Sequence, residues 1–324
     1  MQAILVREGG VLSFEEVADT VEEPGQVVVE LRTAAVNRRD LLIRDPPGPA
    51  YRFPLPLVPG SDGAGVRRDT GEEVVIYPGL GWGPDERAAG PEWRILGGPD
   101  NGTYADLVKV PEENVFPKPR RLSWQEAAAL PLAGLTAYRA LFGVAALQAD
   151  ETVLILGAGG GVSTLAVQLA AQAGARVLVT SSSPQKIERV RELGAEAGVV
   201  YTEGDWATEV REFAGGGVDL VVDSAGSTWS DSLRALRKGG RVVVFGATGG
   251  PAVELDVRFV YLNWLSILGT TMGSARDFAK LLDKVEQGSW APVVDSVRPV
   301  VEAESAHERM KAGDHFGKLV LAVR

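Results

Sequence analysis

The sequence predicts an α/β protein of two domains, one built on a doubly wound parallel sheet and the other rich in strands. Three observations carry this. From Glu151 onward, short apolar runs alternate with segments of helical periodicity, the rhythm of repeated βαβ units. The first of these runs breaks into Gly157-Ala158-Gly159-Gly160-Gly161 directly before a helical pattern. Residues 1 to about 120 instead show β-like runs separated by turn residues. With 324 residues the chain is long enough for two domains of ordinary size.

Taken in order, residues 27–32 and 73–77 read as strands, divided by Pro24-Gly25, Pro46-Pro47-Gly48 and Pro59-Gly60. Residues 78–103 are rich in Gly and Pro and read as an excursion with little regular structure. A helix starts near Ser123, with Ser as N-cap and Glu126 at the third position, a capping-box pattern. Strands follow at 152–156, 176–180, 198–201, 218–222, 241–246 and 266–269, with helices at 161–173, 184–193, 205–213 and 229–237. Pro184 stands at N1 of its helix and Gly194 at its C′. The tail holds one helix, a shorter one around 303–311, and a last strand at 318–323. No internal repeat is visible.

Composition narrows the function. Hydrophobic content is 45% and charged content 23%, ordinary for a globular protein. A net charge of −10 argues against a general binder of nucleic acid or anionic membranes. No apolar run approaches the roughly 18 residues of a membrane span, and the N-terminus lacks a signal-peptide layout, so the cytoplasm is expected. The chain has no Cys, which excludes disulfides, thiolate nucleophiles and thiolate metal sites. Its two His, His307 and His315, are too few for a multi-histidine metal centre. In the tail they read as surface or core residues rather than catalysts.

The chemistry begins at the glycine turn. A strand, a glycine turn and a helix place a diphosphate on free backbone N–H groups at the helix N-terminus, where the helix dipole also favours negative charge. Gly159, Gly160, Gly161 and Val162 are the candidate contacts. The bland alternative is an α/β sheet of flavodoxin-like type whose glycines only permit a tight turn. The strict G-x-G-x-x-G spacing fails, because Val162 or Ser163 falls at the third glycine; Ser is small, so only a modest adjustment is expected. The second strand runs into Ser181, Ser182 and Ser183, with Lys186 one turn into the next helix. An acid there would accept from a ribose diol and repel a 2′-phosphate; hydroxyls and an ammonium favour the phosphate. NADP(H) is therefore expected over NAD(H). The competing reading has Ser183 as a helix cap and Lys186 as a solvated surface residue, and the two are compatible.

The chain as a whole resembles the medium-chain dehydrogenase/reductases, and within them the zinc-free quinone oxidoreductase branch. The resemblance rests on Ala34-Ala35-Val36-Asn37-Arg38-Arg39-Asp40, on Val58 to Gly65, on Leu130 to Tyr138, on Gly269 to Ser274, and on Ala306-His307 with Gly317 to Leu321. It implies a GroES-like β-barrel catalytic domain plus a Rossmann domain, with residues 1–122 in the first, 123–272 in the second and 273–324 returning to the first. It also implies cofactor contacts at Thr136 (nicotinamide side), Tyr201 (adenine side), Ala225, Gly246, Ala247, Thr270 and Lys318. The loops holding Ala225 and Gly246 follow the fourth and fifth strands, and carboxyl ends of parallel strands are where α/β sheets bind ligands. A homodimer is implied, formed near the sheet edge at 264–269.

By the same resemblance, zinc members carry a Cys where Asn37 stands, a His where Ser61 stands and a third ligand near Leu132. None of the three residues here is a good zinc ligand, so no metal is expected. The lobe at 78–103 keeps its length without the four Cys of zinc members, and Trp82 and Trp93 are expected to pack in their place. The candidate catalytic residues are Asn37, Tyr51 and Asp40. Asn37 either donates to a carbonyl oxygen or ties down its loop. Asp40 fits a loop-orienting role better than a chemical one. Tyr51 either donates a proton or stacks on a ring, or it packs under the proline-rich loop. A tyrosine common in the branch one turn after Asn37 is Leu42 here. The expected activity is NADPH-dependent hydride transfer to quinones or α,β-unsaturated carbonyls, with substrate and nicotinamide held together in a dry cleft. Alternatives are alcohol oxidation or ketone reduction, and a cofactor-binding sensor or structural protein with no turnover.

Overall fold

A computed structural model describes residues 1–323, which form two compact units: residues 1–133 with 274 onward, and Gly134–Gly273. The helix Trp124–Ala129, capped by Ser123 with Glu126 returning the bond, belongs to the first unit, so the division falls later than the expected 122/123.

The first unit is built on the ten-residue strand Gln26–Ala35. It pairs antiparallel with Lys318–Ala322, Asp62–Arg67 and Leu107–Pro111. Val27, Val29 and Leu31 alternate along it and are buried with Val74, Ile76 and Val108 on one face, while Val28 is buried on the other. Register places Ala35 opposite both Asp62 and Val320. The chain then turns at Asn37 into the helix Arg38–Arg44. One end of this strand thus gathers residues 37, 62 and 318 from three distant stretches of sequence. The lobe at 78–103 is mostly irregular, with Gly79–Leu80 paired to Arg94–Ile95 and a single bridge between Ile95 and Gly98. Trp82 is buried and packs edge-on against Trp93, with ring centroids 5.9 Å apart.

The second unit is a parallel sheet in the order Ala197–Val200, Arg176–Ser181, Thr152–Ile155, Val218–Asp223, Leu236–Val244, Ser266–Gly269. All six expected strands are present. Because the order reverses beside Thr152–Ile155, that strand lies at the switch point where such sheets bind ligands. Several boundaries differ from expectation, most of them by one or two residues, and the strand Leu236–Val244 starts five residues before the expected 241. The helix Trp229–Ala235 ends two residues earlier, since Leu236 joins the sheet opposite Val218. The helix Val257–Leu262 was not anticipated; its apolar, β-branched and aromatic run carries little helical signature, and Asp256 starts it by accepting from the N–H groups of Arg258 and Phe259. Among the described residues no helix is long and apolar enough to cross a membrane.

Candidate active site

In the first unit, Lys318 opens its strand with the side chain inside the unit and only 3% of the residue exposed. Its ammonium donates to the Val36 carbonyl at 2.9 Å, to Asn37 Oδ1 at 2.6 Å and to Asp62 Oδ2 at 2.9 Å. Asn37 Nδ2 donates to the same Asp62 oxygen at 2.9 Å, and the Leu132 N–H satisfies Asp62 Oδ1 at 2.8 Å. A buried carboxylate and a buried ammonium are tolerable only when paired and hydrogen-bonded like this. The arrangement also fixes the Asn37 amide: its oxygen faces a cation and one N–H faces an anion. The second N–H has only a long 3.5 Å contact to the Ala35 carbonyl.

Asp40 stands at the third position of the helix Arg38–Arg44 and accepts the Asn37 backbone N–H at 2.8 Å. Fully buried, its carboxyl is pushed up to about 6 by loss of solvent. The Asn37 N–H, the Arg39 charge, the Tyr104 hydroxyl and the Lys318 charge pull the other way. Arg39 donates to the carbonyls of Ile95, Leu96 and Gly98 and reaches Ser61, tying the helix start to the lobe. Tyr51 lies half-buried in the short turn Pro49–Tyr51. The structure thus brings Asn37, Asp40 and Lys318 together, and it adds Asp62, Tyr104 and His307. Asp62 carried one sequence signal, a charged residue between Ser61 and Gly63 at a strand start. His307 carried one too, as part of the Ala306-His307 signature, and was read as a surface or core residue; it is 1% exposed, while Tyr104 carried no signal.

In the second unit, Gly157 and Gly159 turn the chain with φ of 71° and 101°. Gly160 is the N-cap of the helix Gly161–Gln172 and supplies no capping side chain, and the first turn holds no acid. The next two helices are capped by Ser183 and Asp205. Backbone N–H groups at Gly161 and Val162 are therefore presented without a side-chain acceptor, which suits a diphosphate. Ser163 answers the imperfect glycine spacing: its hydroxyl donates to the Leu156 carbonyl at 3.1 Å and binds helix to strand.

The serine run is divided in its duties. Ser181 is buried and reaches the Ala158 carbonyl, Ser183 caps its helix through the Lys186 N–H, and Ser182 is exposed. Lys186 follows in the first turn and Tyr201 is 45% exposed beyond the neighbouring strand. Ala225, Gly246 and Ala247 sit on two loops joined by the Gly249 N–H to the Ala225 carbonyl at 2.8 Å. Gly246 has to be Gly, since a Cβ would lie 2.7 Å from the Ser224 carbonyl oxygen. Asp223, buried, shapes the first of these loops by accepting from the N–H groups of Ala225 and Gly226. Thr270 donates its N–H to Val244 at the end of the edge strand, and Thr136 is buried near the start of the unit. Lys318, grouped with the cofactor contacts in the sequence reading, lies in the first unit with the bonds described above.

Comparison with known proteins accounts for both units. The alcohol dehydrogenase GroES-like domain family matches residues 23–120, and the zinc-binding dehydrogenase family matches 161–287. A zinc-type alcohol dehydrogenase-like protein of Schizosaccharomyces pombe is 33% identical across 93% of this chain and 91% of its own. The chain belongs to the medium-chain dehydrogenase/reductase superfamily. A quinone oxidoreductase of Mus musculus is 32% identical across 99% of this chain and 97% of its own. A solved NAD-dependent alcohol dehydrogenase is 39% identical, superposes with a TM-score of 0.93 and covers both chains completely.

Zinc is the metal this superfamily suggests, and the residues do not fit it. The resemblance puts Asn37, Ser61 and a residue near Leu132 at the three ligand positions of zinc members; an apolar side chain cannot ligate, and Asn37 Oδ1 already faces an ammonium at 2.6 Å. Ser61 donates its hydroxyl to the Leu96 carbonyl at 2.7 Å. Among the described residues no cluster of three or more His, Cys, Asp or Glu is placed to hold a metal. The dinucleotide, by contrast, fits the uncapped helix start and its glycine turn.

Proposed function

We propose that this medium-chain dehydrogenase/reductase is an NADPH-dependent, zinc-free reductase of quinones or α,β-unsaturated carbonyl compounds. The observation that carries this reading is the Lys318–Asn37–Asp62 cluster, which engages Asn37, the residue the resemblance sets at a zinc-ligand position, between an ammonium and a carboxylate. Without a metal, hydride addition suits acceptors whose resulting negative charge spreads over a conjugated system. A simple ketone concentrates that charge on one oxygen and asks more of the site. When bound, the nicotinamide supplies the hydride.

The protein's part is binding and polarisation. Asn37 presents its less-engaged N–H to the substrate oxygen, and the Lys318 ammonium on its Oδ1 draws electron density from the amide and strengthens that donor. Asp62 holds the amide in this orientation, and Tyr51 is the second candidate donor. In the other unit the N–H groups of Gly161 and Val162 hold the diphosphate, Ser182 and Lys186 the 2′-phosphate, and Tyr201 the adenine.

An assay panel with NADPH and NADH tests the reading. Turnover of enones or quinones with a kcat/KM at least tenfold higher for NADPH supports it, and Lys186→Ala lowers that ratio about tenfold through the lost charge-assisted bond. Ketone reduction with an NADH preference supports a second reading, an NAD-dependent alcohol dehydrogenase. Burial of Ser181 and the capping duty of Ser183 favour that second reading, because they leave fewer hydroxyls for a 2′-phosphate. Cofactor binding with no turnover of any acceptor would point to a sensor.

A further inference from the structure

Asp40 is held by a chain of donors that runs to the surface of the first unit. Glu304, half exposed, receives two bonds from Arg44 at 2.9 and 3.0 Å. Arg44 also lies 3.2 Å from His307 Nδ1. A guanidinium can only donate, so Nδ1 is the acceptor and the His307 proton sits on Nε2. Nε2 lies 3.3 Å from the Tyr104 hydroxyl and donates to it; the hydroxyl's own proton goes to Asp40 Oδ2 at 3.0 Å. Each donor therefore points inward, and the direction is fixed by the arginine. Tyr104 is completely buried and His307 is 1% exposed. Asp40 Oδ2 accepts from the Asn37 backbone as well, while Oδ1 has no partner among the described residues.

We propose that Tyr104 and His307 are positioning residues for the Asn37 site: the Arg44–His307–Tyr104 chain holds Asp40 ionised, and ionised Asp40 holds Asn37 in place. The proposal rests on the reading of Asn37 as the group that meets the substrate. The donor chain runs in the direction that favours a carboxylate, since donors stabilise the charged form and burial opposes it. The balance is close: burial pushes the carboxyl up to about 6 despite these donors, while burial first and then the Arg44 charge push His307 down to about 3, keeping it neutral. The groups facing Asp40 are the Asn37 N–H and the Arg39 charge on its own helix, Tyr104 from its loop and Lys318 from the last strand. The charges of Asp62 and Arg44 act on the Tyr104 hydroxyl itself. Loss of the Tyr104 hydroxyl leaves an ionised, buried Asp40 with a single hydrogen bond. Its protonation then moves toward neutral pH and the Asn37 turn loses its anchor in the working range.

Nuclear magnetic resonance on the full chain, with the Asp carboxyl carbons and the Asn37 backbone and side-chain amides observed against pH, tests this without requiring turnover. In the unaltered protein the Asp40 carboxyl and both Asn37 amides titrate together near pH 6. In Tyr104→Phe both midpoints rise by about one to two units, the size expected for losing one hydrogen bond to a charged group. In Asp40→Asn, which keeps the shape and accepts the same N–H, the Asn37 titration disappears; this variant decides the matter if Tyr104→Phe does not fold. The acidic limb of kcat/KM moves with the Asp40 midpoint. The proposal is overturned by an Asp40 midpoint that Tyr104→Phe leaves in place, by Asn37 amides that still titrate near pH 6 in Asp40→Asn, or by an acidic limb that stays put while Asp40 shifts. An absence of all turnover, with the linked titrations intact, would instead sink the assigned reaction and leave the positioning role standing.

Discussion

Lys318 and Asp62 make an ion pair inside the first unit, with side-chain exposures of 4% and 0%. Removing one partner strands a buried charge, so Lys318→Met should cost about 3–5 kcal/mol, read as a lowered urea midpoint. Asp62→Leu added to Lys318→Met should recover part of that loss, because no lone charge remains; a double variant as weak as the two losses summed would argue against the pair. His307 acts in a different way. Its folded value of about 3 lies below the usual 6.5, so the unfolded chain takes up the proton first. The stability it contributes is complete above pH 6.5 and is lost as the pH falls toward 3. Asp40, raised from 3.8 to about 6, works in the opposite sense between those values. His307→Gln should therefore flatten the fall in urea midpoint between pH 6.5 and 4, and a slope equal to that of the parent would contradict a buried neutral imidazole. At this scale the sequence was only half informative. Asn37 and Asp40 lie three residues apart in one segment and could be found. Tyr104 and His307 meet across 203 residues, and Lys318 reaches Asn37 across 281. Such convergence follows from strand register, which no local pattern encodes.

The helix Gly161–Gln172 shows how an element can be read early and then tested alone. Its start was legible because a strand, a glycine turn and helical periodicity coincide within 20 residues. Gly160 has φ −70° and ψ 156°, values open to any residue, and a Cβ there would meet its nearest neighbours at 3.5 and 3.6 Å, ordinary contact. Gly160→Asp should therefore fold and cap the helix, adding a few tenths of a kcal/mol of stability. Its carboxylate would occupy the N–H groups proposed for the diphosphate and repel that group. Dinucleotide affinity should fall at least tenfold while the melting temperature holds or rises. Unchanged affinity in a calorimetric titration would remove this helix start from the binding site. Val257–Leu262 marks the opposite limit. Val, Phe, Val, Tyr and Leu in six residues read more like a strand, and the deciding cue is a single Asp256 cap.

Across the whole molecule, the parallel sheet ends in the strand Ser266–Gly269, which pairs on one side only, with Leu236–Val244. Its sequence, Ser-Ile-Leu-Gly, carries none of the charges or prolines that keep open edges from pairing. Just before it, Val257, Tyr261, Leu262 and Trp264 are 58–69% exposed. Scattered exposed apolar residues are ordinary, but four within eight positions beside an open edge form the kind of patch that marks an interface. A two-fold symmetric contact would pair the edge with its copy and cover these side chains at once. We therefore expect a homodimer through residues 257–269. Light scattering should give about twice the 34.3 kDa of one chain. Because Tyr261 and Leu262 are exposed, replacing both with Glu should change the stability of a lone chain by no more than about 0.5 kcal/mol each. In a dimer the same change buries four carboxylates across the two-fold axis, beside chains that already carry −10 each. The double variant should run as a monomer that still binds the dinucleotide. A parent that is monomeric at tens of micromolar, or a variant that stays dimeric, would place the interface elsewhere.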